Sequence, residues 1–449
     1  MTTNEAKKIG VFGASAIVAG NMMGSGIALL PSNLAKIGSI SIFAWAIVGF
    51  GALALAFVYA RLGTENPQAG GPVAYAGEVS PILGFQTGVL YFHANWIGNL
   101  AIAITGVDYL SVFFPILTQP IPAGIATIAV IWLFTGINLL EAGWIGNLVS
   151  VGVILLLIPV FLTGTYGWAF FEASQFKANW IVGGNSSSGA VMAAILLCIW
   201  SFIGVESASV GAGVVKNPKR TVPLSTMIGT SVAGIVYVLS CTAISGMFPA
   251  AHVASSGAPF SLAAGHMFGD WAPKLVSAVV AFACLCSLGS WMLLVSQAGA
   301  RASRDGTLPN IFGKTNKKGI PARGIIITSV FMTVLMGILM IISKGGNTQE
   351  IFGHIASIAV LLTLPPYLYS ALNLISLHGF RDRRGVVPIT AAVLACAFCF
   401  VAFSGATRTY LAAAVIVMLG VFIFYVGKDR TEFKRKMAES TKHQPGGVV

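Results

Sequence analysis

Apolar residues fill twelve long stretches of the 449-residue chain, separated by short polar breaks. They run at 10–35, 39–62, 84–114, 122–140, 146–168, 189–212, 224–247, 272–300, 323–343, 350–376, 386–404 and 409–427. Each is close to or above the roughly 20 residues that cross a bilayer as a helix, and lipid admits only helices or closed barrels. The pattern predicts an all-α membrane protein of twelve transmembrane helices, with residues 1–9 and 428–449 as polar ends. The first apolar run is far too long for the core of a signal peptide, so no cleavable leader is expected.

Two of these stretches are interrupted. The first carries Gly20-Asn-Met-Met-Gly-Ser-Gly26 and then Pro31. Glycine costs about 1 kcal/mol in a helix interior, so this cluster argues for a break; a small-residue face for close helix contact is the alternative. The sixth carries Gly204-Val-Glu206-Ser-Ala-Ser-Val-Gly211-Ala-Gly213. Paired interruptions at corresponding places point to a transporter built from inverted repeats, with its substrate site at the broken helices. The repeats are then 10–168 and 189–376, with 386–427 as an accessory pair.

A break at bilayer depth leaves N–H groups on one half-helix and carbonyls on the other without partners. The stretch from Asn21 to Gly26 reads as a cradle for a carboxylate, and Ser201 to Glu206 as an acceptor for an ammonium. A ligand with both groups is an amino acid. Glu206 itself costs at least about 2.5 kcal/mol at the bilayer centre, which makes it a functional candidate. In the third stretch Tyr91, Asn95 and Asn99 share one helix face, with structural bonding between helices as the competing reading. His93 and Asp108 point away from that face. Trp200, Trp291 and the Pro365-Pro-Tyr367-Leu-Tyr369 run offer aromatic walls for an aliphatic chain and a cation.

Charge orients the chain. Only 9% of residues are charged, against about 25% in soluble domains. If both termini are cytoplasmic, 21 of the 26 Lys and Arg fall on that side, and Lys36, Lys177, Lys274, Lys344 and Arg408 fall outside. This satisfies the positive-inside rule. The net charge of +12 therefore reports membrane topology, and lipid rather than nucleic acid is the expected surround. Lys216 to Arg220 reads as a cytoplasmic anchor behind Pro218. The six cysteines lie within spans at spacings that hold no metal and are expected to pack as small apolar residues. No cofactor is called for, and no nucleophile, base and orienting group converge in any motif, so the chain is not expected to be an enzyme.

The runs GNMMGSGIALLP (20–31), GGPVAYAGE (70–78), GVLYFHANWIGN (88–99), WSFIGVESASVGAGVVKNPKR (200–220) and SLGSWMLLVSQA (287–298) resemble the basic amino acid/polyamine antiporters of the amino acid–polyamine–organocation superfamily. The resemblance implies a LeuT-like fold with a 5+5 inverted repeat and discontinuous helices 1 and 6, in a bacterial inner membrane. It implies exchange of an imported amino acid for its exported decarboxylation product. On matching motifs Asn21, Ser25 and Gly26 hold the carboxylate and α-amino end, with carbonyls near Ile203 contributing. Trp200 folds over the ligand and Trp291 stands nearer the cytoplasm. Tyr91 and Tyr367 line or gate the route, Glu206 couples conformational change to substrate and proton, and Tyr75 belongs to a cytoplasmic-side gate.

YFHANWIGN and KNPKRTVPLSTM within this family direct the expectation to lysine entering and cadaverine leaving, one for one, with a functional link to a cytoplasmic lysine decarboxylase and to acid resistance. Where arginine-handling relatives carry a serine in the tenth span, this chain has Ala359 and Val360. Asn95 adds polarity from the third span. Arginine/agmatine exchange, ornithine/putrescine exchange and proton-coupled uptake of a cationic amino acid stay open as alternatives, as does a homodimer.

Overall fold

The computed structural model describes residues 10–23, 25–65, 71–140, 145–184, 186–210, 215–304, 306–316, 320–342, 348–379 and 385–427. Gly24, the Gly211–Gly213 end of the second break, the side chain of Ser25 and both polar ends lie outside the described residues.

The first predicted span is three pieces: α1 (Val11–Met23), α2 (Ser25–Ala28) and α3 (Leu30–Ala35), bent by 47° at the break. α4 (Ser41–Glu65) returns across the bundle, and a short α5 (Pro72–Val79) leads into the 30-residue α6 (Pro81–Leu110). α7 (Pro120–Leu140), α8 (Ile145–Thr165) and the short α9 (Ala173–Ala178) complete the first half. The second opens with the other broken span, α10 (Ser187–Trp200) and α11 (Ser207–Val210), then α12 (Pro218–Met247), α13 (Ala250–Ala254), α14 (Pro259–Phe268), α15 (Ala272–Arg304), α16 (Ala322–Ile342) and α17 (Thr348–His378). α18 (Val386–Ser404) and α19 (Arg408–Gly427) follow. Proline stands in the first turn of α5, α6, α12 and α14, where its missing N–H costs nothing.

Helix packing repeats itself between the halves. α4 packs on α12, α6 on α15 and α7 on α16, each a pairing of corresponding spans. α1 packs on α12 as α10 packs on α4, and α8 on α15 as α17 on α6. Exchanging the first five spans with the second five thus returns the same contacts, as two interlocked repeats require. The end where α1 begins is called here the near face and its opposite the far face.

Among the described residues eight helices are long and apolar enough to cross a membrane, or nine with the bent pair. α6 is not among them, because the polar residues His93, Asn95 and Asn99 interrupt its apolar run. The apolar part of α10 is short because the second break truncates it. Outward side chains such as Phe50 and Ile423 form the lipid-facing belt, and α19 is the most peripheral helix, with 12% of its apolar window buried. α17 is tied to its neighbours at the near face: Asn373 Nδ2 donates to Glu78 Oε2 at 2.7 Å, Tyr369 to Gln86 at 2.5 Å, and His378 meets Glu65 at 3.0 Å. At the far face Asn179 Nδ2 donates to the carbonyls of Ser245 and Phe248, both at 2.8 Å, and Oδ1 accepts from the Ala250 amide at 2.9 Å. One buried amide so fixes the ends of α9, α12 and α13.

Candidate substrate site

The two interruptions cross at backbone distance. A methyl group on Gly26 would lie 3.2 Å from Ser201 Cα, and one on Gly204 would lie 3.5 Å from the carbonyl carbon of Asn21. A side chain is crowded at Gly26, whereas at Gly204 the space alone would admit a methyl group. Gly204 has φ +108°, a conformation that L side chains rarely adopt.

Between Trp200 and Glu206 the chain turns instead of coiling, and its carbonyls find local partners. Ser201 Oγ donates to the Cys198 carbonyl at 2.7 Å, Ile203 N–H to Trp200 at 3.3 Å and Val205 N–H to Phe202 at 3.3 Å. Tyr237 on α12 donates to the Ser201 carbonyl at 3.0 Å, and the Gly204 carbonyl accepts from the Ser207 amide at 2.9 Å. Among the described residues the carbonyls of Ile203 and Val205 are the two in this turn with no donor. Of these two residues, Ile203 is the one that reaches the central cavity.

That cavity, of about 50 Å³, is lined by Asn21, Met22 and Gly26 from the first break, Ala94, Asn95, Gly98, Asn99 and Ile102 from α6, and Trp200 and Ile203 from the second break. Ser287 and Trp291 of α15 and Thr363 of α17 close it. Seven of the expected contact residues, Asn21, Gly26, Asn95, Asn99, Trp200, Ile203 and Trp291, are thus brought together. Two buried donors there have no partner among the described residues, Asn99 Nδ2 and Trp200 Nε1. Asn95 Nδ2 donates back to the Tyr91 carbonyl at 2.6 Å, which leaves its side-chain oxygen to face a ligand. Trp200 stands edge-on to Phe352, with ring centroids 6.0 Å apart, and its ring edge seats where a methyl on Gly98 would come within 3.3 Å.

Tyr91 and Glu206 are placed differently. Glu206 is buried, and neither residue lines the cavity. Glu206 Oε1 accepts from the Tyr91 hydroxyl at 2.7 Å, and Oε2 accepts from Tyr367 at 2.8 Å. The carboxylate is thus occupied on both oxygens by protein donors, just off the cavity toward the near face. From Tyr367 a row of buried rings continues to Tyr59, 5.9 Å away, and on to Tyr75, 6.3 Å further. Tyr59 also donates to Ser370 at 3.1 Å.

His93 and Asp108 lie off the cavity as their helical phase predicts. His93 Nδ1 accepts from Trp96 Nε1 at 2.8 Å, and Asp108 sits at the far end of α6. Ala359 is buried but does not line the cavity, so the hydroxyl on that part of α17 is Thr363's, which donates to the Ala359 carbonyl at 2.8 Å. Sequence reasoning did not single out Thr363, Met22, Gly98, Ile102, Tyr59 or Tyr237. Thr363 alone had a signal, as an isolated hydroxyl in an apolar run.

Comparison with known proteins agrees with this fold. An amino acid permease family model matches residues 9–437. The chain belongs to the amino acid permease family. This family member is 53% identical over 441 residues to the cadaverine/lysine antiporter of Escherichia coli (strain K12), covering 98% of the chain and 97% of that protein. It is 31% identical to the putrescine transporter PotE of the same organism, over 97% of the chain and all of that protein. Among solved structures it superposes on the Eremococcus coleocola manganese transporter with a TM-score of 0.61 at 15% identity, covering 96% and 94% of the two chains. That likeness extends the fold, and only the fold.

Proposed function

We propose that the chain is an exchanger that brings lysine in and takes cadaverine out across a bacterial inner membrane, with both termini in the cytoplasm, and that residues 10–168 and 189–376 are its two repeats. The observation that carries the reading is the crossing of two broken helices at one cavity. The first break offers amide donors and Asn21 to a carboxylate. The second offers the unpartnered Ile203 carbonyl to an ammonium. The 53% identity to a cadaverine/lysine antiporter supports the choice of ligands.

Lysine, with its carboxylate, uses both ends of the cavity; cadaverine has the same five-carbon chain without the carboxylate and leaves the first-break donors to water. Trp200 and Trp291 then enclose the chain between the polar ends, an arrangement in which an aromatic face meets a desolvated cation. Glu206, held by Tyr91 and Tyr367, stands between the cavity and the near face. A substrate ammonium that draws the carboxylate away releases both tyrosines at once, so ligand occupancy and near-face opening become one event. This is the coupling role given to Glu206, with Tyr91, Tyr367 and Tyr75 as the gate. Ser25 belongs with Asn21 and Gly26 on the carboxylate side.

Lysine carries a net charge of +1 and cadaverine of +2, so each turnover moves one positive charge outward. A cytoplasmic lysine decarboxylase would regenerate the internal cadaverine, taking up one proton per lysine, and the cycle would resist acid. In liposomes loaded with cadaverine, labelled lysine should enter in proportion to the internal diamine. Equal entry into empty liposomes would overturn exchange, and stronger competition by arginine or ornithine than by unlabelled lysine would overturn the choice of substrate.

A further inference from the structure

The residue that follows α3 at the far face is Lys36, half-buried although it is charged. α3 runs antiparallel to the beginning of α17: a methyl group on Gly353 would lie 3.0 Å from Asn33 Oδ1. Residues three apart share a helix face. One turn beyond this contact the backbone at Lys36 therefore comes alongside that at Glu350, although among the described residues Lys36 forms no ion pair within 4.0 Å in this state. Asp108, at the end of α6, is 2% exposed. Its carbonyl oxygen and Cβ lie 3.4 and 3.5 Å from where a methyl on Gly257 would stand, and Gln349 Nε2 reaches the same point at 3.0 Å. The loop holding Gly257 is itself tied to the first broken span, because Ser32 Oγ donates to the Ser256 carbonyl at 2.7 Å. The ends of α3, α6 and α17 thus converge under one loop. Burial lowers the pKa of Lys36, and the charges of Glu350 and then Asp108 act in the opposite sense.

We propose that Lys36 is the gate residue of the far face: its ammonium bridges Asp108 of α6 and Glu350 of α17 while the cavity is shut to that face, and leaves both when α3 moves. The proposal rests on the exchange reading above, with the cavity open to one face at a time. α3 is the piece that would move as a unit, since the 47° break sets it apart from α1. A charged bridge suits a gate because it has two discrete states, docked and hydrated, and a partly exposed ion pair is weak enough to open.

The test reads cavity access directly. Ile102 lines the cavity, and an Ile102→Cys variant can be labelled with a membrane-impermeant thiol reagent in reconstituted vesicles, one side at a time. The chain without this cysteine gives the background. Lys36→Ala and Glu350→Gln should each speed far-side labelling about fivefold or more, the usual size of a coupling between sites. Lys36→Arg should stay near the parent rate. The double variant Lys36→Ala/Glu350→Gln should be no faster than the faster single one. A parent rate in either Lys36→Ala or Glu350→Gln, or additive acceleration in the double, overturns the proposal. Should Lys36→Ala fail to fold, the size-preserving Glu350→Gln and Lys36→Arg decide the matter. The labelling needs no substrate, so a chain that fails to exchange lysine sinks the exchange reading while the gate is still judged on its own result.

Discussion

The Tyr367 hydroxyl donates to Glu206 Oε2 at 2.8 Å across the interface of α17 and the second break, while Tyr91 holds the other oxygen. A hydrogen bond to a charged group is worth about 1.5–3 kcal/mol, so each tyrosine should matter to the proposed near gate. Tyr367→Phe should therefore speed thiol labelling of the cavity from the near side, and Tyr91→Phe should do the same. The two together should exceed either alone by less than their product, because they act on one carboxylate. Labelling unchanged in both single variants would remove the gate.

Glu206→Gln separates charge from shape. The amide oxygen still accepts from one tyrosine, so the fold should persist, with thermal midpoint close to the parent's. Cadaverine export should fall at least about tenfold on the proposed reading, since a ligand with two ammonium groups loses the buried carboxylate beside the cavity. Undiminished export would show that Glu206 neither draws nor relays the cation.

The crossing of the breaks gives a steric prediction. Gly26→Ala places its new methyl 3.2 Å from the Ser201 backbone, which no side-chain rotation relieves. Gly204→Ala forces an alanine into the left-handed region, a cost of about 1–2 kcal/mol. Both variants should lose lysine binding, measured by isothermal titration on purified protein, with a smaller loss of stability for Gly204→Ala. Parent affinity in both would mean that the breaks do not form the site.

Much of this was legible in the sequence because glycine clusters and a membrane-depth carboxylate are costly and therefore informative. The two breaks, the polar face of α6 and the pairing of halves all follow from such costs. The number of spans was less secure, since α6 carries the site's polar groups and α10 is cut short by its own break. Glu206 was expected at the site, either binding the ammonium or acting through a proton, and its place beside the cavity under two tyrosines was not legible. Nothing in the one-dimensional pattern of Tyr91 and Tyr367, 276 positions apart in the chain, says that both reach the same carboxylate. Tyr237 illustrates the same limit. Its hydroxyl serves the Ser201 carbonyl, a need visible only when the turn is seen in three dimensions.

Thr363 tests selectivity. Its hydroxyl hydrogen is spent on the Ala359 carbonyl, leaving oxygen lone pairs toward the cavity, which suits an ammonium. Thr363→Val keeps the shape and removes that acceptor, at a cost of about 1 kcal/mol or roughly fivefold in KM. The effect should fall on lysine and cadaverine alike. An increase for lysine alone would place Thr363 at the carboxylate end instead.

Trp200 carries the last prediction. Its ring rests over Gly98 and against Phe352, so it is held in place before any ligand arrives. If its face meets the substrate's cationic end, the contact is worth about 2 kcal/mol when desolvated. Trp200→Ala should then raise KM about thirtyfold for both substrates, whereas Trp200→Phe keeps an aromatic face and should lose only a few-fold. Gly98→Ala offers an independent check from the other side of the contact. Its methyl would crowd the ring edge at 3.3 Å and tilt Trp200 without removing it, so this variant should lower affinity in the parent and do nothing further when combined with Trp200→Ala. Additive losses in that pair would mean that Gly98 acts on the cavity by some route other than the tryptophan.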